Sequence, residues 1–208
     1  RKGTICPFFC ICALTLLNAF IIPASKLMYA TQTQLAPHEI SGLVRAAQRD
    51  PAAFAQLYDL YCAPVYRYLY SRVGNQADSE DLTTQTFLAA LEGLPRYREQ
   101  GQFAAWLFRI ARAKAMDYFR RGRSEVSLEA VEIHIEEADP LGLVIQRQEL
   151  DKIAAILGGL DVHERELLRL RYVAELSFAE MAVVLGRNEA AVKKSHYRLL
   201  ARIQSQVE

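Results

Sequence analysis

Residues 177–188 read Ser177-Phe-Ala-Glu-Met-Ala-Val-Val-Leu-Gly-Arg-Asn188, and a long helical pattern follows over residues 189–207. Ser177 and Glu180 have the S-x-x-E spacing of a capping box, which starts a helix. Gly186 supplies a turn after Leu185. A short helix, a glycine-containing turn and a longer helix make a helix-turn-helix, whose second helix can enter the major groove of DNA. The stretch therefore predicts a DNA-binding unit.

The second helix of this unit divides into two faces when its residues are placed at steps of 100°. An apolar face is formed by Val192, His196, Leu199, Leu200, Ile203 and Val207. The opposite arc carries Lys193, Lys194, Tyr197, Arg198 and Arg202. A cationic face suits contacts with phosphates, although a solvated helix would show the same stripe; the capped helix and turn before it favour DNA binding. We expect His196 to be partly buried and hydrogen-bonded rather than a reader of bases.

Every strong periodic signal from residue 37 onward is helical, which predicts an all-α fold. Asp50-Pro51 has the form of a helix cap followed by a first-turn proline. Apolar residues then recur at helical spacing from Phe54 to Leu69, and Pro64 is expected to kink or split this helix near Cys62.

The next predicted helix begins after Gly74-Asn75, where acidic residues suit a helix amino terminus. We assign its apolar face to Leu88 and Leu91, and Gly93-Leu94-Pro95 ends it.

A further helix is predicted from Phe103 to Arg121. One side carries Phe103, Trp106, Leu107 and Ile110; another carries Arg109, Arg112 and Arg120, with Phe108, Tyr118 and Phe119 interleaved. Basic residues can follow a nucleic-acid backbone while aromatic rings hold unstacked bases. Equally, the aromatic residues can be core and the arginines solubilising. Asp117 is expected to pair with Lys114 or Arg121.

The charge pattern predicts a domain boundary. Residues 124–139 are rich in Glu and Asp with little helical periodicity, which is typical of an acidic linker. Two small helical domains are thus expected, at residues 37–123 and 140–208. Asp139-Pro140 opens the second, and Asp161 with Glu164 forms another capping box there.

Residues 1–36 form an apolar N-terminal extension. Basic Arg1-Lys2 and the apolar stretch over residues 5–24 have the layout of a secretory signal or an anchor. We favour the interpretation that Met28 is the true start and that residues 1–27 are translated upstream sequence. Cys62 is the single cysteine of the remaining body, which is typical of a reducing compartment.

Composition excludes several classes of protein. The 208 residues are 51% hydrophobic and 24% charged, so collagen-like and wholly disordered chains are excluded. The 25 basic and 24 acidic residues nearly cancel, so overall charge does not identify a partner. His163-Glu164 lacks the second histidine of a zinc protease helix, and no P-loop or nucleophile elbow occurs. We therefore expect no enzyme, no cofactor, no metal and no small-molecule substrate.

The body resembles a bacterial RNA polymerase sigma factor of the extracytoplasmic-function (ECF) type. The resemblance spans about residues 40–206 and rests on five stretches: Ala52 to Arg67, Ser79 to Leu88, Phe103 to Arg112, Asp117 to Arg121, and Leu160 to Ile203. The run from Phe103 to Arg121, followed at the right distance by the helix-turn-helix, is its most specific part.

The resemblance implies roles for individual residues. Glu80, Asp81 and Gln85 would dock on the clamp of core RNA polymerase. Residues of the first domain would engage and help open the minus-ten promoter element: Arg109, Arg112, Arg120, Arg121 and, in the loop over residues 94–101, Tyr97. Residues of the second would read the minus-thirty-five element: Arg187, Lys193, Lys194, Tyr197, Arg198 and Arg202. It also implies promoter DNA and core polymerase as partners, an anti-sigma factor, and a cytoplasmic location.

Some positions depart from the family pattern. Thr84 and Gln85 replace the usual Gln and Glu, which removes a negative charge from the docking motif. Ala113 replaces a common Asn, and Lys194-Ser195 replaces Ser and Arg.

Two other functions are compatible with the residues alone. One is a helix-turn-helix regulator with a sensing N-terminal domain that acts without being a polymerase subunit. The weaker is a membrane-anchored regulator that uses residues 5–24 as its anchor.

Overall fold

A computed structural model of the chain describes residues 35–122 and 155–207, and these residues are helical without strands. In chain order, the α-helices of these two ranges that position the site are α1 (Pro37–Arg49), α2 (Phe54–Val73), α3 (Gln76–Gly93), α4 (Phe103–Arg120), α5 (Val162–Leu168), α6 (Phe178–Leu185) and α7 (Glu189–Val207). Short 3₁₀ turns lie at Pro51–Ala53 and Leu94–Arg96, and a π-helical turn at Arg169–Val173 follows α5. The all-α prediction is confirmed for the described residues.

Helices α1 to α4 pack into a first unit, residues 35–122. Leu57, Tyr68, Phe103 and Phe108 are buried at its centre. Each fully buried Leu or Phe side chain contributes about 1.5–3 kcal/mol to folding. Within this core the rings of Tyr68 and Phe108 meet edge to face, with centroids 5.5 Å apart.

The ends of the helices in the first unit follow local signals. Asp50 accepts a hydrogen bond from the backbone N–H of Ala52, as its cap position predicts. Gly74 ends α2 in the left-handed conformation with φ of 68°, and the side chain of Asn75 then caps α3.

Pro64 does not split α2. The helix is continuous from Phe54 to Val73, and Pro64 is buried within it. Packing of this long helix against α3 and α4 compensates for the backbone hydrogen bond that proline cannot donate. The predicted split near Cys62 is therefore wrong, while the alternative, a kink at Pro64, stays a prediction.

The apolar face assigned to α3 is also wrong. Leu88 is 56% exposed and Leu91 is 37% exposed, whereas the buried side includes Leu82, Thr83, Thr86 and Phe87. The hydroxyls of Thr83 and Thr86 each donate to the backbone carbonyl four residues earlier, at 2.7 Å. Because these hydroxyls are satisfied within the helix, threonines can face the core at little cost.

Helices α5 to α7 form a second unit, residues 155–207. Both predicted capping boxes are present: Glu164 N–H donates to Asp161 at 2.8 Å, and Glu180 N–H donates to Ser177 at 3.2 Å. Gly186 has φ of 62°, which lets the chain turn sharply between α6 and α7. The helix-turn-helix is confirmed.

The two units contact each other. Helix α4 of the first packs against α6 of the second, and α2 packs against the π-helical turn at Arg169–Val173. We call this contact the seam.

Several predictions lie outside the described residues: the N-terminal extension, the acidic linker at 124–139 and the start of the second domain at Asp139-Pro140. Within the residues that are described, no helix is both long and apolar enough to cross a bilayer.

Candidate nucleic-acid interface

The outer face of α7 presents cationic and aromatic side chains to solvent. Its members are all exposed and are the residues predicted for that arc: Lys193, Lys194, Tyr197, Arg198 and Arg202. Val192, His196 and Leu199 are buried on the opposite side, and Leu200 and Ile203 are partly buried. We call the exposed set the recognition face.

Two residues of the recognition face have acidic partners. The ammonium of Lys193 lies 2.7 Å from Glu189, one turn earlier on α7. That side-chain hydrogen bond, with the carboxylate charge, raises the pKa of Lys193. Arg202 pairs with Glu164 at the start of α5. Arg187, in the turn before α7, is exposed and its guanidinium is 3.4 Å from the hydroxyl of Ser195. The contacts of Arg187 and Lys193 orient two cations near the first turn of α7, and that of Arg202 orients a third further along the helix.

His196 lies beneath the recognition face. It is 2% exposed, and among the described residues neither ring nitrogen has a hydrogen-bond partner. The prediction of burial is confirmed, but the predicted hydrogen bond is absent because the ring is surrounded by other rings, with centroids 5.6 Å from Tyr172 and 5.2 Å from Phe178. Burial, together with the charge of Arg171, lowers the pKa of His196 to about 4. The imidazole is therefore neutral near pH 7.

Helix α4 and the residue that follows it carry the four arginines predicted to contact DNA in the first unit. Arg109, Arg120 and Arg121 are exposed, whereas Arg112 is only partly so. Arg120 pairs with Asp117 at 3.0 Å. The predicted partners of Asp117, Lys114 or Arg121, were therefore wrong. An i,i+3 pair satisfies the same helical-spacing argument.

Of the aromatic residues interleaved on α4, Phe108 is buried, and Tyr118 and Phe119 are partly buried against the rest of the first unit. Phe108 is 1% exposed, the Tyr118 hydroxyl donates to Asp78 at 2.8 Å, and the Phe119 ring lies 5.6 Å from the Arg72 guanidinium. This placement favours the core interpretation of these rings over base stacking.

Tyr97 packs against the aromatic core. Its ring lies 4.7 Å from the ring of Trp106, and burial raises the pKa of its phenol to about 12. The neighbouring Arg96 and Arg98 are exposed on the same loop and are cations that the sequence reasoning overlooked. The alternation Arg-Tyr-Arg at 96–98 is the signal that could have found them.

The exposed side of α3 combines acids with leucines. Glu80, Asp81 and Gln85 are exposed, as are Leu88 and Leu91 further along. Asp81 and Gln85 also line a polar cleft of about 300 Å³ between α3 and the end of α4. We call these five residues the α3 outer face. Leu88 and Leu91 were predicted to face the core and are included here because the structure shows that they are exposed.

A buried carboxylate joins the two units at the seam. Glu166 is 4% exposed and accepts hydrogen bonds from the Tyr68 hydroxyl at 2.7 Å and from Arg72 at 3.1 Å. Arg112 Nε lies 3.2 Å from the same carboxylate. Burial and the nearby carboxylate raise the pKa of Tyr68, which keeps its hydroxyl a donor. We call these four residues the Glu166 cluster. The sequence contains no sign of it, because its members are 54 to 98 residues from Glu166 in the chain.

Comparisons with known proteins agree with this arrangement. The family models for Sigma-70 region 2 and Sigma-70 region 4 match residues 57–125 and 150–203. The first matched segment contains α4 and the second contains the helix-turn-helix.

Individual relatives are similar over most of the chain. The ECF RNA polymerase sigma factor BldN of Streptomyces coelicolor is 38% identical over 75% of this chain, which covers 61% of BldN. The RNA polymerase sigma factor NccH of Alcaligenes xylosoxydans xylosoxydans is 32% identical, covering 77% of this chain and 92% of NccH. The solved structure of CnrH in complex with the cytosolic domain of CnrY is 28% identical and matches with a TM-score of 0.58, covering 79% of this chain and 94% of that one.

Proposed function

Because the chain belongs to the ECF family of RNA polymerase sigma factors, we propose that it binds core RNA polymerase and directs it to a specific set of promoters. The observation that carries the proposal is that exposed cations lie within both segments that the family models match. Exposed cations lie on α4 within the segment matched by Sigma-70 region 2, and on α7 within the segment matched by region 4. Two such faces on separate units suit one promoter contacted at two elements.

The second unit reads duplex DNA in this proposal. Its recognition face meets phosphates and base edges in the major groove of the minus-thirty-five element, and Arg187 contacts the backbone beside it. Capping of α6 and the turn at Gly186 fix the angle at which α7 enters the groove.

The first unit engages the minus-ten element. In this proposal the exposed Arg109, Arg120 and Arg121 contact the backbone. Arg112 and Tyr97 are only partly exposed, and they contact DNA after a rearrangement that exposes them. Opening the duplex needs no covalent chemistry, because binding of unpaired bases offsets an unstacking cost of a few kcal/mol per step. This is consistent with a family of proteins that are not enzymes.

The α3 outer face docks on core polymerase. Its acids provide charge complementarity and Leu88 and Leu91 provide apolar contact, a combination typical of interface cores with polar rims. We place the domains at residues 37–123 and 140–208 with the acidic linker 124–139 between them, and the protein in the cytoplasm with its polymerase. The CnrH complex with the cytosolic domain of CnrY supports an anti-sigma factor as a further partner of this chain.

Reconstituted transcription tests the proposal. Core RNA polymerase with this chain is incubated with sheared genomic DNA from the source organism, and transcript starts are mapped. We expect discrete starts that core polymerase alone does not give. The rival interpretation, a regulator that is not a polymerase subunit, predicts binding to a duplex site with no association with core. Family membership favours the sigma-factor interpretation.

A further inference from the structure

We propose that the seam is an autoinhibitory contact in which Glu166 of the second unit withholds Arg112 of the first from DNA. The inference rests on the proposed function, because it assigns Arg112 to promoter DNA. The inference adds that, in the chain without polymerase, Arg112 is paired with the carboxylate of Glu166.

The first support is the position of Arg112 on α4. Ala104 and Phe108 line a groove between the two units. Arg112 follows them at the same four-residue spacing and therefore lies on the same face of α4. Arg109 is exposed, whereas the side chain of Arg112 is 29% exposed and lies against Glu166. A phosphate that binds Arg112 would have to displace this carboxylate.

The second support is the depth of Glu166. Two guanidiniums and a phenol surround its carboxylate, whose side chain is 6% exposed. A carboxylate buried to this degree is retained only with such partners, since an unpaired buried charge is strongly unfavourable. Glu166 therefore favours the arrangement in which the two units are packed together, which we call closed, as long as Arg72 and Arg112 are present. In the open arrangement the units are separated.

The third support is a groove that remains beside the packed part of the seam. A groove of about 370 Å³ lies between the units, lined by Ile40, Tyr61 and Phe108 on one side and by Leu176 and Glu180 on the other. A contact between two units that has an ion-paired cluster and a groove beside it can separate without unfolding either unit.

The energetic consequence is a shift of population. A ligand that binds only the open arrangement has its affinity reduced by the fraction of molecules that are open. Weakening the seam raises that fraction, so it should strengthen binding of DNA by the free chain.

Glu166→Gln tests the inference in the full chain without polymerase. The amide keeps the size of the side chain and can still accept from Tyr68, but it removes the charge that pairs with Arg72 and Arg112. Opening is measured by hydrogen exchange of the seam segments, with exchange of α3, which among the described residues packs only within the first unit, as the internal reference. Binding is measured by fluorescence anisotropy with a single-stranded oligonucleotide of about 20 nucleotides, a length that exceeds typical single-strand sites.

We expect faster exchange in α6 and the facing part of α4, unchanged exchange in α3, and about tenfold tighter binding of the oligonucleotide. Glu92→Gln is the matched control, since it removes an exposed carboxylate on α3. It should change neither measurement. Unchanged exchange at the seam in Glu166→Gln would overturn the inference.

Arg112→Ala separates this inference from the proposed function. If Glu166→Gln opens the seam without strengthening binding, and Arg112→Ala weakens binding by the wild-type chain, then Arg112 already reaches DNA in the closed arrangement; the inference fails and the proposed role stands. If Arg112→Ala has no effect in either background, the proposed role of Arg112 fails and the inference with it.

Tyr68→Phe keeps the test decisive if Glu166→Gln does not fold. It removes one hydrogen bond to Glu166 and leaves the ring in the core. We expect a smaller change in the same direction, and no change in exchange at the seam would count against the inference.

Discussion

The imidazole of His196 is buried beneath the recognition face, between the rings of Tyr172 and Phe178. Its pKa is lowered to about 4, first by burial and then by Arg171. An unfolded histidine has a pKa of about 6.5. Between these values the unfolded chain binds more protons than the folded one, so stability decreases as pH falls. Above a pH of about 6.5 the contribution of neutral His196 to the free energy of unfolding is fully present.

We predict that lowering the pH from about 7.5 to about 5 destabilises the second unit by about 1–2 kcal/mol through His196. The measurement is urea unfolding followed by circular dichroism at both pH values. His196→Leu should remove this component of the pH dependence. His163→Gln, which replaces an exposed histidine on α5, should leave it in place. An unchanged pH dependence in His196→Leu would show that other groups cause it.

At the scale of residues, the sequence predicts burial better than it predicts partners. The 100° steps along α7 separate its buried and exposed side chains correctly, because a helix repeats locally. The Glu166 cluster could not be foreseen in this way. Its four side chains meet only after two helical units pack, and Glu166 by itself is an ordinary charged position on a helix.

Several helix ends are set by capping residues and glycines, as at Gly74 after α2 and Asn75 before α3, and there the predicted positions agree with the structure within about a residue. Gly186 is the clearest example, since its φ of 62° is strained for any residue with a Cβ. The face of α3 was not predictable from hydrophobicity alone. Buried threonines there resemble a polar face in the sequence, and two exposed leucines resemble an apolar one.

We predict that Gly186→Ala destabilises the protein by about 1 kcal/mol through backbone strain, since no atom lies within 4 Å of the added Cβ. Gly42→Ala is the matched control. Gly42 lies inside α1, also with no atom within 4 Å of an added Cβ, so alanine should stabilise by about 0.5–1 kcal/mol there. Urea midpoints measure both. Equal effects of the two changes would contradict the assignment of strain to Gly186.

The α3 outer face yields a prediction about polymerase binding. Leu88→Ala should weaken association with core polymerase about tenfold, because Leu88 is 56% exposed in the free chain and available to an apolar pocket of a partner. Biolayer interferometry with immobilised core measures the change. Val162→Ala trims an apolar residue that is 48% exposed on the second unit and serves as the control. A larger loss in the control would place the docking surface elsewhere.

At the scale of the whole molecule, the two-unit organisation follows from the sequence but the seam does not. The charge pattern and the helix-turn-helix signal distinguish two segments without indicating how they pack. The structure adds that α4, which carries arginines proposed to contact the minus-ten element, packs against α6 of the second unit. The units that are proposed to contact separate promoter elements are thus in contact with each other in the free chain.

We claim that the first unit opens promoter DNA whereas the second binds it as a duplex, and a comparison of two variants separates these roles. Holoenzyme is assembled with Arg109→Ala or Arg198→Ala, both exposed positions, on a promoter found by the transcription assay. Promoter binding is measured by anisotropy, and strand opening by permanganate reactivity of thymines in the minus-ten element. We predict that Arg109→Ala reduces opening with little loss of binding, while Arg198→Ala reduces binding. Equal losses of binding and opening in both variants would contradict the claim.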